Sequence, residues 1–297
     1  MMIEVKNLTK KFGNNKGVFD LNFNIEPGTV FGFLGPNGAG KSTTIRMLMG
    51  FMQPTSGVVT INGLDAFISR EKIQKSVGYI SGEISLLNDM SGKDYLNFML
   101  KARGISDTTR KDELVSRLQL DEKVKIGKMS KGMKQKVAII QSLMHEPSIL
   151  ILDEPTSGLD PLVQQIFLEL INEEKAKGTT ILMSSHSFTE VSRTCDTICI
   201  IKDGRIVDLD YIEQIQSNAR QHYIIQFKSV EQAKAFNVIY PESSIDGVIV
   251  KLNIKGQTND VIQNLSKFEI EHINIENESL EEIFLHFYDR GEQHDTI

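Results

Sequence analysis

Residues 32–48 read "GFLGPNGAGKSTTIRML", and the order of residue types within them decides the fold. Apolar residues lead into a glycine-rich turn, followed by a lysine, two hydroxyls and a helical pattern. Gly35, Gly38 and Gly40 permit backbone conformations that a Cβ would block. Successive N–H groups of the loop, which also holds Pro36, Asn37 and Ala39, can therefore converge on one anion. Lys41 adds a mobile positive charge, and Ser42, followed by Thr43, can place its hydroxyl on a magnesium ion. The dipole of the helix that starts there points the same way. Gly35-x-x-x-x-Gly40-Lys41-Ser42 is the P-loop pattern, a nucleotide phosphate site that names no reaction by itself.

The 297 residues are enough for one large domain and a small one. A net charge of −6 argues against a general nucleic-acid binder, which needs a basic face. No run of about 18 apolar residues occurs, so nothing in the chain is expected to span a bilayer alone. The opening "MMIEVKNLTKKFG" alternates like a strand and lacks the apolar core of a signal peptide. Cys195 and Cys199 share one apolar stretch, "TCDTICII". Without further Cys or His ligands the pair reads as two buried thiols in a reducing compartment rather than a metal site.

From residue 3 to about residue 30 apolar and polar residues alternate, as in "GVFDLNFNI", which suits an antiparallel sheet. The buried strand "VFGFL" then delivers the P-loop and its helix. "GVVTING" reads as a further strand ending in a turn, and "VGYIS" as a short core strand. Residues 91–144 keep helical spacing, with Leu114, Leu118, Val137, Ile140 and Met144 inward, giving a helical subdomain over about residues 84–144. "SILIL" is a strongly apolar strand ending in Asp153 and Glu154. Asp160 and Pro161 read as the N-cap and first position of the helix "LVQQIFLELINEEKAKG". "TTILMSS" is another buried strand, and "IIKDGRIV" a hairpin turning at Asp203-Gly204. These elements predict an α/β fold: a three-layer, mainly parallel P-loop core with an antiparallel β subdomain and the helical subdomain. After residue 216 the style changes. "HYIIQFKS", "GVIVKLNI" and "FEIEHINI" read as strands, and "VEQAKAFNVI", "TNDVIQNL" and "SLEEIFLHFYDR" as helices. Residues 217–297 are therefore expected to form a small α+β domain behind a main domain of residues 1–216.

A nucleotide-hydrolysing site needs a phosphate cradle, a magnesium ligand and a group that orients the attacking water. Asp153 stands where a strand end beside a P-loop supplies the metal carboxylate. Glu154 follows directly, projects differently and can face the γ-phosphate as a general base. Taken alone, an Asp-Glu pair at a strand end reads as the start of a solvated loop. The four apolar residues before this pair, in a chain with a P-loop, favour the catalytic reading.

"LDEPTSGLDP" at residues 152–161 follows "KMSKGMKQKVAIIQSLMHEP" at residues 128–147 at short range. With these motifs the stretch from about residue 3 to residue 210 resembles the ATP-binding subunits of ABC transporters. In that family a serine-glycine motif caps a helix and contacts ATP bound to the opposite subunit. Met129-Ser130-Lys131-Gly132-Met133 stands here where Leu-Ser-Gly-Gly-Gln is most frequent. The resemblance assigns Ser130 and Gly132 the trans contact with phosphate. Lys131 and Met133 depart from the frequent version in the manner of bacterial export ATPases of the drug and antibiotic-resistance type. It further implies that Phe12, in "KKFG", stacks on adenine, a contact worth about 1–3 kcal/mol elsewhere. By the same resemblance Asp160 lies on the loop that crosses between subunits, and His186 reads the γ-phosphate and helps hold Glu154 and water. By residue type alone, Phe12 also fits an edge aromatic of the β subdomain, and His186 an exposed cap.

One place departs from the family pattern. After "VGYI" the family has a proline and then a glutamine that touches magnesium and the transport subunits; here the text is Ser81-Gly82-Glu83. Glu83 is the nearest polar substitute and can complete the magnesium shell beside Ser42 and Asp153, with water as the alternative. The other reading makes Gly82 a hinge that transmits motion to a membrane partner, which the following "LLNDMSGKDYL" favours.

The resemblance implies an ATPase using ATP and Mg²⁺ as the energy-coupling subunit of a transporter. ATP closes a dimer, formed with a second copy or with another ATP-binding subunit, and hydrolysis reopens it. A separate transmembrane permease moves the cargo, with export of drugs, peptides or lipid-like compounds as the expectation. The chain would then be cytoplasmic, peripheral on the inner face of the cell membrane through that permease, with no nucleic-acid partner. The alternative is a soluble ABC ATPase acting on ribosomes or DNA. Such proteins carry two cassettes in one chain or a long coiled-coil insertion, and this sequence has neither. A P-loop kinase or GTPase would leave the serine-glycine motif unexplained. The ending "NESLEEIFLHFY" is similar to small C-terminal extensions of some export ATPases.

Overall fold

The computed structural model describes residues 2–13, 16–217, 220–255, 258–278 and 282–283. The chain divides into two compact units between Tyr211 and Ile212. Within the first unit, strand Val30–Leu34 has five buried residues in a row. Successive side chains of a strand point to opposite faces, so both of its faces are covered. It lies inside a six-stranded sheet ordered Arg205–Tyr211, Thr197–Lys202, Val30–Leu34, Thr180–Ser185, Ile149–Asp153 and Val77–Ile80. Only the first pair is antiparallel, a hairpin whose tip residues Asp203 and Gly204 take φ of 48° and 75°. In the parallel part Leu34 pairs with Ser185 and Asp153 with Ser184. The strand ends are therefore level, and the P-loop, Asp153-Glu154 and His186 leave the same edge of the sheet, where α/β folds bind ligands.

The antiparallel sheet is ordered Gly17–Ile25, Ile3–Lys11, Ser56–Ile61 and Leu64–Asp65. Alternation buries Ile3, Val5, Leu8, Leu21, Phe23 and Ile25 on one face. Phe23 stacks on Phe31 with ring centroids 5.2 Å apart, which joins this sheet to the parallel one in a single core. The helical spacing after residue 91 becomes three α-helices, Gly92–Ala102, Thr109–Arg117 and Lys131–Leu143, with a 3-10 turn at Ile126–Lys128. Its interruptions follow Gly104 and Gln119, whose φ of 76° and 49° end the first two helices. Leu114, Leu118, Val137, Ile140 and Met144 are all buried. Helix Arg70–Ser76 was not foreseen: its one buried residue, Ile73, leaves no apolar period to read.

In the second unit, helices Val230–Ile239 and Thr258–Leu265 share a core with Tyr223, Ile225 and Phe227 of the sheet. That sheet has four strands rather than three, ordered Ser244–Asp246, Ile249–Ile254, Gln221–Phe227 and Ile270–Asn277. The extra strand is three residues long and wholly exposed, so no apolar alternation marks it; only its pairing with Ile249–Ile254 reveals it. The helix expected in "SLEEIFLHFYDR" lies outside the described residues except for residues 282–283. Both cysteines are buried and unpaired. Burial pushes the Cys195 thiol up to about 12 and raises that of Cys199 as well, so both stay protonated. Among the described residues, no helix is long and apolar enough to cross a membrane.

Candidate active site

The P-loop owes its course to two glycines. Gly40, at φ 109°, caps the helix Lys41–Leu48, and a Cβ on it would stand 2.4 Å from the Val18 side chain. On Gly35 a Cβ would stand 2.3 Å from the Ile201 carbonyl oxygen. The hairpin tip supports the loop from below, with Gly204 N–H donating to the Ala39 carbonyl at 3.0 Å. Lys41 is 5% exposed. Its Nζ donates to the carbonyls of Gly35 at 2.5 Å and Pro36 at 3.2 Å, and lies 3.1 Å from Glu154 Oε1. A buried ammonium persists only with such partners.

A cleft of about 500 Å³ opens above this loop. Phe12, Pro36, Asn37, Gly38, Gly40, Lys41, Ser42, Thr43 and Glu154 line it, together with Lys16, Gly17 and Asp203. Gly35 and Ala39 lie buried behind its wall. The start of Lys41–Leu48 faces this space, a favourable end for an anion. At the rim Phe12 is half exposed, with Lys10 Nζ 5.8 Å from its ring centroid. Lys16 and Asp203 escaped the sequence reading. Asp203 was legible only as a turn residue, and its place in the cleft comes from packing of the hairpin tip on the P-loop.

Glu154 is the centre of the polar cluster. Its Oε2 meets His186 Nδ1 at 2.6 Å, while Oε1 has the Lys41 ion pair but no directed hydrogen bond. An unsatisfied, largely buried carboxylate oxygen at the edge of a phosphate cleft suits a water or phosphate-bound proton donor. Glu154 holds φ at 50°, a left-handed conformation that costs a non-glycine residue about 1–2 kcal/mol. Ser184 holds it there. Its hydroxyl accepts from Glu154 N–H at 3.0 Å and donates to Asp153 Oδ1 at 2.6 Å. Sequence reasoning missed Ser184, although a serine at a fully buried position of an apolar strand is the available signal.

Ser130, Gly132 and Asp160 are not brought into the cleft of their own chain. Ser130 Oγ caps Lys131–Leu143 by accepting from Met133 N–H at 3.2 Å. Asp160 Oδ1 caps Pro161–Ala176 by accepting from Val163 N–H at 3.0 Å, with Pro161 at the first position. The two loops touch: a Cβ on Gly132 would stand 2.9 Å from the Gly158 carbonyl oxygen, and Lys131 Nζ donates to Ser157 Oγ at 3.0 Å.

Gly82 packs differently from a hinge. It does not hold positive φ, and a Cβ there would stand 2.9 Å from Asp153 Oδ2. Close approach to a carboxylate anchored by Ser184 favours glycine at this position. Glu83, one residue on, is exposed. Gly82→Ala is accordingly expected to displace Asp153 and lower ATP hydrolysis by the isolated chain about tenfold, as small misplacements of reacting groups do. Steady-state hydrolysis without any membrane partner checks this; an unchanged rate would restore the hinge reading.

Residues 18–157 match the ABC transporter family. Over 96% of both chains the protein is 33% identical to the bacitracin transport ATP-binding protein BcrA of Bacillus licheniformis. A solved ATP-binding subunit of an ABC transporter superposes with a TM-score of 0.67 at 33% identity, covering 73% of this chain and 92% of that one. A dimeric ATP-binding cassette in a post-hydrolysis state, bound to ADP and Pi, shares the fold at a TM-score of 0.65 and 23% identity, covering 71% of this chain and 99% of that one. A likeness extending over nearly the whole length, on top of the P-loop cleft and its Asp153-Glu154 edge, makes this chain a member of the ATP-binding subunits of ABC transporters.

Proposed function

We propose that this ATPase hydrolyses ATP between two subunits and thereby drives a separate transmembrane permease, exporting drugs, peptides or lipid-like compounds. The observation that carries the proposal is the Glu154 carboxylate, held between Lys41 Nζ at 3.1 Å and His186 Nδ1 at 2.6 Å. The P-loop N–H groups and Lys41 bind the β- and γ-phosphates, and Phe12 stacks on the adenine. The incoming phosphate replaces Glu154 as the counter-charge of Lys41 and frees the carboxylate. Glu154 then takes a proton from the water whose oxygen bonds to the γ-phosphorus, as the bond to ADP breaks and ADP leaves with its electron pair. His186 holds that carboxylate and water in line.

Among the described residues no group of three or more His, Cys, Asp or Glu could hold a metal by itself. Ser42 and the free oxygen of Asp153 nevertheless suit Mg²⁺, which takes one or two protein oxygens beside phosphate and water. Bound there, it would neutralise charge on the phosphates. Ser130, Gly132 and Asp160 complete the site of the facing subunit, a second copy or another ATP-binding chain. Residues 1–216 supply this machinery, and residues 217–297 are an accessory domain. The subunit works in the cytoplasm, on the inner face of the membrane through its permease.

The name of the bacitracin transport relative supports the transport role. The test is purification of the full-length tagged chain from gently solubilised membranes. A transmembrane protein is expected to accompany it and to stimulate its ATP hydrolysis in liposomes. Recovery of the chain alone, with hydrolysis indifferent to every membrane fraction, would contradict the proposal.

A further inference from the structure

One side chain joins the loop that follows Glu154 to the strand end that carries His186. Glu190 sits in the first turn of helix Phe188–Thr194. Thr156 Oγ1 donates to its Oε1 at 2.6 Å, and Ser185 Oγ donates to its Oε2 at 2.8 Å. Thr156 and Ser185 are 6% and 1% exposed, so neither hydroxyl can turn to water instead. Ser185 Oγ also accepts from Ser187 N–H at 2.9 Å, which ties the backbone on both sides of His186 to the same hydroxyl.

The residue type fits the task. An ionised carboxylate accepts on both oxygens and so satisfies two hydroxyl donors, whereas an amide offers one oxygen. The task itself follows from exposure. The His186 side chain is 66% exposed, so packing does little to fix the ring that meets Glu154. Its position depends on how the backbone around it is anchored. On the other side of Thr156, Ser157 Oγ receives the Lys131 ammonium, which extends the link toward the Ser130 motif.

We infer that Glu190 is a positioning residue for ATP hydrolysis: by clamping Thr156 to Ser185 it sets His186 against Glu154 and fixes the loop leading to Asp160. This rests on the reading of Glu154 and His186 as the hydrolytic pair. A clamp of this kind acts on turnover and leaves the phosphate cradle untouched.

The test uses the full-length chain, with ATP affinity, turnover and melting temperature measured together. Glu190→Ala is expected to lower kcat about 10- to 100-fold, a geometric loss, while ATP affinity stays within about threefold. Glu190→Gln, whose single amide oxygen keeps only one arm, should show a similar fall in kcat at constant affinity. Adding Thr156→Val to Glu190→Ala should cost little more, because both remove the same link. If Glu190→Ala does not fold, Thr156→Val and Ser185→Ala, each breaking one arm, are expected to give the same fall in kcat at constant affinity. A kcat within about twofold of wild type in Glu190→Ala, or effects of Glu190→Ala and Thr156→Val that add in full, would overturn the inference. Glu154→Gln and His186→Ala run alongside: their loss of turnover with none in Glu190→Ala refutes the clamp alone, while full turnover in Glu154→Gln refutes the reading beneath it.

Discussion

Glu154→Gln is expected to bind ATP at least as tightly as the wild type and to hydrolyse it about 10²–10⁴-fold more slowly, the usual loss when a general base is removed. The amide keeps the size of the carboxylate and a hydrogen bond to His186, whose Nδ1 lies 2.6 Å away. It cannot take the proton of the attacking water. It also weakens the contact with Lys41 Nζ, 3.1 Å from Oε1, which phosphate must displace on entering. Binding should therefore hold or tighten while turnover collapses, and an ATP-stabilised dimer should accumulate. Equilibrium binding of a fluorescent ATP analogue, set beside phosphate release, checks both halves. Near-normal phosphate release would remove Glu154 from the mechanism.

Lys41→Ala should fail one step earlier. The ammonium is 5% exposed and makes three close polar contacts, so the side chain is already fixed where phosphate arrives. Truncating one partner of a buried, hydrogen-bonded charge pair costs about 2–5 kcal/mol. That loss should appear in ATP affinity itself, in contrast to Glu154→Gln. Titration calorimetry with ATP, on a variant whose melting curve shows it folded, separates the two. Unchanged affinity would contradict the role given to Lys41.

The cleft was largely legible because its parts are written in short contiguous runs. A glycine-rich turn needs its glycines next to the lysine, and a strand-end carboxylate pair follows directly on the apolar residues that bury the strand. Ser184 was marked only as a serine in an apolar strand and Glu190 not at all, because both act through strand register and helix placement across some thirty residues: Ser184 reaches Asp153, 31 positions earlier, and Glu190 reaches Thr156, 34 earlier. Gly82 was open to two readings for a related reason. A glycine in sequence can mean rotational freedom or close approach, and it is the Asp153 carboxylate beside it that favours close approach. The level strand ends follow from the order of the sheet, and no local pattern in the sequence encodes that order. Ser130, Gly132 and Asp160 show a further boundary. The caps made by Ser130 and Asp160 are visible within one chain, while the contact proposed for all three needs a second.

An ATP site shared between two subunits can be probed by mixing two inactive chains. A Lys41→Ala chain has a damaged P-loop and an intact Ser130; a Ser130→Arg chain has the reverse. In a dimer of the two, one composite site combines both defects and the other combines neither. Hydrolysis measured across a titration of one variant into the other is predicted to rise above either parent and to peak where mixed dimers are most abundant. A flat titration, with no gain over the parents while mixed dimers form, would contradict an ATP site built from two subunits.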